Sequence, residues 1–183
     1  HAFEPHYSLR ESGLRYIGID HDLATHERVV LCGDETRIGE DMVLFAGVEG
    51  QCLKPAGNRL LFGPRQDVND DFRHEQSLII KEKEKTVLFA GCAHSGIVNI
   101  IRKGIRVAGR PFTHVFAGMH LVKNGLSEEG EAAFIHSLAQ ELTAQAHCHY
   151  FTMHCTGTTQ YSLLSKEMSE TISYMACGDR VKI

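Results

Sequence analysis

Short apolar runs dominate the first half of the chain, and apolar residues at helical spacing enter only in the second half. Residues 15–19, 28–32, 43–48 and 59–62 are brief apolar segments set between clusters of Gly, Asp, Asn and Pro, and they predict strands joined by turns. The acidic stretch 66–72 reads as a surface loop. Residues 77–80 and 86–90 flank the charged run Lys81-Glu82-Lys83-Glu84-Lys85, which predicts a hairpin whose tip lies in water and discourages edge pairing. After the second of these strands Ile97, Val98, Ile100, Ile101 and Ile105 recur at helical spacing, so Gly91 to Ser95 must be a strand-to-helix turn.

The same alternation repeats twice. Residues 113–117 predict a strand leading into Gly118-Met119-His120-Leu121. Ser127 then offers a helix N-cap with Glu128 and Glu129 in the first turn, and Phe134, Ile135, Leu138 and Leu142 form one apolar face. Residues 149–153 predict a strand that runs into His154-Cys155-Thr156-Gly157 and a helix over 158–172, with 181–183 as a last short strand. Strands alternating with helices give an α/β fold, and the 183 residues are read as a single domain over 1–183.

Charge and cysteine usage narrow the function classes. A net charge of -4 without any dense Lys/Arg run gives no footprint for nucleic acid. No stretch is long and apolar enough to span a membrane, and no apolar leader opens the sequence, so a cytoplasmic protein without a membrane partner is expected. Six cysteines without a C-x-x-C pair point to reduced thiols. Twelve histidines exceed what one metal site uses, so some of them are structural or surface residues.

Candidate chemistry concentrates at the three junctions. His94, His120 and His154 each stand just past a strand, and ligands of layered α/β folds gather at the carboxyl ends of strands. Cys92 shares the first junction, where free N–H groups at the mouth of the helix favour an anion or a thiolate. Two other arrangements are compatible with these residues: a metal site on His147, His149 and His154, with the first two on one strand face, and a cysteine nucleophile, Cys92, working with His94.

The segments GCAHSGIVNI, EQSLII, AGMHL and HCTG, in this order and spacing, resemble the metallo-β-lactamase-fold hydrolases. Within these, the nearest likeness is to the subfamily related to the dihydropterin and ribofuranosylaminobenzene-phosphate condensing enzymes of methanopterin biosynthesis. The opening HAFEPHYSLR and RYIGI resemble the middle of that family's chain. The resemblance implies part of an αββα sandwich, its later two-thirds, with one or two divalent transition metal ions, zinc above all, manganese or iron otherwise. It implies a metal-dependent hydrolase or related transferase acting on a small ester- or phosphate-containing substrate. His94 and His154 match metal-binding positions; Glu75, Cys92 and His120 match further motif positions. A thiolate at Cys92 replaces the bridging carboxylate of the wider superfamily, which makes Cys92 a third metal candidate. Glu75 and His120 are the candidates for catalysis.

The sequence departs from the superfamily pattern in one respect: it holds no H-x-H-x-D-H. The resemblance therefore carries two further expectations. The site is completed by an N-terminal segment or by a second copy of the chain, because part of a sheet is left uncovered. Alternatively, the chain is a catalytically incomplete remnant that serves as a binding or assembly module.

Overall fold

The protein is described by a computed structural model over residues 1–122 and 125–183. In chain order the strands are Tyr7–Arg10 (β1), Gly13–Tyr16 (β2), Glu35–Ile38 (β3), Met42–Phe45 (β4), Leu61–Phe62 (β5), Ser77–Glu82 (β6), Lys85–Ala90 (β7), His114–Ala117 (β8), His149–Thr152 (β9) and Ile172–Tyr174 (β10). The helices are Ile97–Ala108 (α1), Glu128–Thr143 (α2) and Thr158–Met168 (α3).

Seven strands form one mixed sheet in the order β10-β9-β8-β7-β6-β4-β3. The hairpins β3-β4 and β6-β7 make one half antiparallel, whereas β7, β8, β9 and β10 run parallel. Parallel neighbours need crossover connections, and α1, α2 and α3 supply them. This places the carboxyl ends of β7, β8 and β9 side by side. Val43, Ile79, Leu88, Val115, Tyr150 and Ile172 form one row of register partners. All six are buried in the core together with Ile100, Ile101, Ile135, Leu138, Leu142 and Leu164 of the helices. The opposite row is Leu78, Phe89, Phe116 and Phe151, whose three rings stack in sequence at 4.9 and 4.5 Å, with Phe89 38 % exposed.

A second, small antiparallel sheet, β2-β1-β5, brings the chain start beside residues 61–70. Asn69 donates from Nδ2 to the carbonyls of Arg59 and Leu61, and Asp70 N donates to Leu61 O at 3.0 Å, so the 66–72 loop is pinned along β5.

Two predicted strands are absent. Residues 28–32 form no strand, and Val30 and Leu31 are 79 % and 70 % exposed. The run has β propensity but no neighbouring edge to pair with, and propensity without a partner does not make a strand. Residues 181–183 are likewise irregular, and the closing edge strand is β10. The predicted 158–172 helix ends at Met168, where Ser169 turns to φ +52°, and Ile172–Tyr174 pairs in parallel with β9. Residues 59–62 are mostly a 3-10 turn, Ala56–Leu60, followed by the two residues of β5. The hairpin, the three helices and the three parallel strands lie where the pattern puts them, and Ser127 Oγ caps α2 by accepting from Gly130 N at 3.2 Å.

Candidate metal centre at three strand ends

The first junction, after β7, holds Cys92 and His94. The chain reverses through Ala93 at φ +56° and enters α1 at Gly96, φ +86°. The peptide N–H groups expected to face a ligand are already occupied. His94 N donates to Glu75 Oε1 at 2.7 Å and Ser95 N to Glu75 Oε2 at 2.8 Å. The anion at the mouth of α1 is thus the protein's own carboxylate, placed there because Glu75 precedes β6, the strand that pairs with β7.

Asn58 holds the His94 ring. Its Nδ2 donates to His94 O at 2.7 Å, so its Oδ1 is the atom that meets His94 Nδ1 at 2.9 Å. Since Oδ1 accepts, Nδ1 carries the proton and Nε2 is left with its lone pair. This is how a partner fixes the tautomer of a metal-binding imidazole. Phe72 stacks on the other side of the ring at 4.7 Å and 8°.

The second and third junctions come to the same place. His120, after β8, lies 4.2 Å from the His94 ring, and its N–H donates to Cys155 Sγ at 3.3 Å. Cys155 and His154 follow β9. One ligand atom from each of Cys92, His154 and Cys155 lies within 4.8 Å of the others. Gly118 makes this approach possible, because a Cβ there would stand 2.8 Å from Cys155 Sγ and 3.2 Å from Gly91 O. The junctions are tied by a buried relay: Met119 N donates to Thr156 Oγ1, Thr156 to Thr152 Oγ1, and Thr152 to Ala117 O, at 2.9, 2.6 and 3.0 Å.

The electrostatics follow from this crowding. The hydrogen bond from Cys155, and after it the neighbouring His94, hold the Cys92 thiol down at about 4, against the effect of burial. The same contact with Cys92, followed by burial, pushes the Cys155 thiol up, so Cys155 keeps its proton and Cys92 gives its own up. Burial first, then neighbouring His94, lowers His120 to about 4, which keeps that imidazole neutral near pH 7. His120 Nδ1 is buried without a hydrogen-bond partner among the described residues.

These features suit a cation. Donors bound to zinc at about 2.0–2.3 Å stand some 3–4 Å apart, within the spread of the Cys92, His154 and Cys155 ligand atoms. A thiolate, a neutral imidazole with an orphaned nitrogen and a tautomer-fixed imidazole are the donor types of a borderline or soft divalent ion.

All five residues singled out in the sequence meet here. His94, His120, His154 and Cys92 form the cluster, and Glu75 lies behind it as the acceptor for the turn. Cys155 and Asn58 were not singled out. Cys155 shares the strand end of His154, which was a usable signal; nothing local marks Asn58. The alternative site on His147, His149 and His154 does not form. His149 starts β9 and bonds Ser173 Oγ at 3.0 Å, whereas His154 lies beyond the strand's far end.

No protein-family model matches the chain. Among curated proteins it is 28% identical over 168 residues to an uncharacterized protein of Methanocaldococcus jannaschii, covering 85% of this chain and 57% of that one. It is also 28% identical over 116 residues to the 7,8-dihydropterin-6-methyl-4-(beta-D-ribofuranosyl)-aminobenzene-5'-phosphate synthase of the same organism, covering 63% of this chain and 37% of the synthase. The chain thus spans roughly a third to a little over half the length of these relatives. Among solved structures, the crystal structure of a metal-dependent hydrolase of the β-lactamase superfamily superposes with a TM-score of 0.73 at 24% identity, over 98% of this chain and 67% of that one. The chain has the metallo-β-lactamase-like fold, as its motifs implied. Among the described residues, no helix is long and apolar enough to cross a membrane.

Proposed function

We propose that the chain carries the metal-holding strand ends of a metal-dependent hydrolase, or a related transferase, acting on a small ester- or phosphate-containing substrate. The observation that carries the reading is the convergence of Cys92, His94, His120, His154 and Cys155 at three adjacent strand ends, with His120 Nδ1 buried and unpartnered. The metal dependence of the structural neighbour supports it. A product named as a phosphate in the similar synthase supports a phosphate-bearing substrate.

Cys92, His154 and His94, the last through Nε2, would hold the ion, zinc suiting this sulfur and imidazole set best. When bound, such an ion supplies Lewis-acid polarisation of an ester or phosphate oxygen and makes water a better nucleophile near neutral pH. Among the chain's own residues, Asn58 orients the His94 ring, Glu75 holds the turn that carries it, and Cys155 keeps the Cys92 thiolate by donating to it. His120, held neutral, is free to accept a proton or complete the ligand set.

The test is metal content, thermal shift on adding zinc or manganese, and turnover of chromogenic esters and phosphodiesters. The expected result is bound metal and a turnover that His154→Ala abolishes. Purified protein without transition metal and without a thermal shift would overturn the reading. Metal binding without turnover on any of these substrates would put a binding module in place of the hydrolase.

A further inference from the structure

A second set of metal-binding side chains lies outside the strand-end cluster. His6 precedes β1, Asp70 sits on the loop pinned to β5, and the pairing of β1 with β5 brings them together. His74 follows on the same loop. One ligand atom from each of the three lies within 4.8 Å of the others, and the two imidazole rings are 4.1 Å apart. The His6 and Asp70 side chains are 9 % and 6 % exposed, and that of His74 28 %.

The hydrogen bonds of His6 fix the orientation of its ring. Its Nε2 faces His1 O at 3.3 Å, and a carbonyl oxygen can only accept, so Nε2 carries the proton. Its Nδ1 meets Asp70 Oδ2 at 2.6 Å, and that carboxylate oxygen also only accepts. At that separation the two atoms share a proton; an ion taking its place would move them apart to the roughly 3–4 Å at which donors on one metal stand. Metal-bound histidines regularly donate their other N–H to a backbone carbonyl, as His6 does here. The other oxygen, Asp70 Oδ1, is fixed by accepting from Phe72 N at 2.8 Å and lies 3.9 Å from His74 Nδ1. Two imidazoles and one carboxylate then converge on one point, and a cavity of ≈ 380 Å³ opens beside them onto Arg73 and Glu4, leaving room for further ligands.

We propose that His6, Asp70 and His74 form a second site for a divalent first-row transition ion, distinct from the strand-end cluster. The ring of Phe72 separates the two, stacked on His94 and 6.3 Å from His74. The donor set is nitrogen and oxygen only, so it takes cobalt, zinc, manganese or iron without the thiolate signature of the first cluster. The proposal stands whether or not the hydrolase reading holds.

Cobalt(II) titration of the whole chain tests it. In the variant Cys92→Ser/Cys155→Ser/His154→Ala, which strips both thiols and one imidazole from the first cluster, one equivalent of cobalt is expected to bind with visible d–d bands and without a sulfur-to-cobalt charge-transfer band. Adding His74→Ala, a change at the most exposed of the three, should weaken that binding by more than about 100-fold, because losing a ligand costs more than losing the group that orients one. Asp70→Asn, which keeps the shape of the side chain, should do the same. Absence of cobalt uptake in the triple variant overturns the proposal, as does uptake that survives both His74→Ala and Asp70→Asn. Circular dichroism of each variant confirms that the fold is retained.

Discussion

Glu75 offers a sharp discrimination between holding the site and acting in it. Its two carboxylate oxygens accept the N–H groups of His94 and Ser95 at 2.7 and 2.8 Å. Hydrogen bonds to a charged group contribute about 1.5–3 kcal/mol each, and a carboxylate at a helix N-terminus adds roughly 0.3–1 kcal/mol. Glu75 is half-buried, so solvent screening puts the pair near the low end, and Glu75→Ala is expected to cost about 3 kcal/mol. For a chain of 183 residues that corresponds to a fall in Tm of roughly 6–12 °C. Glu75→Gln keeps one acceptor but sets an NH2 donor against a peptide N–H, and is expected to cost about 2 kcal/mol.

Urea unfolding of the metal-free protein measures the loss, and zinc titration measures its consequence for His94. A holding role requires stability, zinc affinity and turnover to fall together, in the order wild type, Gln, Ala. If Glu75→Gln leaves unfolding and zinc affinity within about 0.5 kcal/mol of wild type and removes turnover alone, the reasoning is refuted and Glu75 acts on the substrate.

Three further outcomes follow from the geometry. In metal-free protein Cys92, held at about 4, is already thiolate at neutral pH. Its iodoacetamide labelling rate should therefore be flat between about pH 6 and 8, while Cys148, pushed up to about 11 by burial, stays unlabelled; a Cys92 rate that climbs tenfold per pH unit would show an ordinary thiol. Gly118→Ala drives a Cβ against Cys155 Sγ and should cost about 1–3 kcal/mol and weaken zinc binding, whereas Gly91→Ala, with nothing within 4 Å, should do neither; equal unfolding midpoints for the two would contradict this. Thr156→Val strips Met119 N of its buried acceptor and should lower stability by about 1–3 kcal/mol, with Thr156→Ser restoring it; a valine variant as stable as wild type would remove the relay from the account.

What the sequence made legible was whatever depends on neighbours in the chain. The β-to-helix switch at Val87 to Ile101, the cap at Ser127 and the strand before His154 each carry their cue within a few residues. Three histidines in equivalent positions could be grouped because parallel strands put their carboxyl ends on one edge. Features that depend on what lies alongside were not legible. Residues 28–32 have strand-like composition but no edge to join, and Ile172–Tyr174 looks like a helix continuation until β9 offers it one. The turn at Gly91 to Ser95 announces open N–H groups, yet Glu75, 19 residues earlier, fills them. Asn58 acts on His94 from 36 positions away.

The least legible feature is strain. Ala93, His120 and His154 all adopt positive φ, at +56°, +46° and +51°, one at each junction, and none is glycine. Such residues cost about 1–3 kcal/mol each and persist only where surrounding contacts over-determine them. Here the contacts can be named: Glu75 and Asn58 hold the first junction, Cys155 Sγ accepts from the second, and the Thr152-Thr156 relay binds the third to β8. Glycine at these places would relieve the backbone, but at His120 and His154 it would also delete the imidazole. The sequence thus keeps the side chain and bears the strain at two histidines whose convergence defines the site. Positive φ alone does not mark a site, since the exposed His147 takes φ +62° outside the cluster; what sets His120 and His154 apart is that both junctions meet at Cys155.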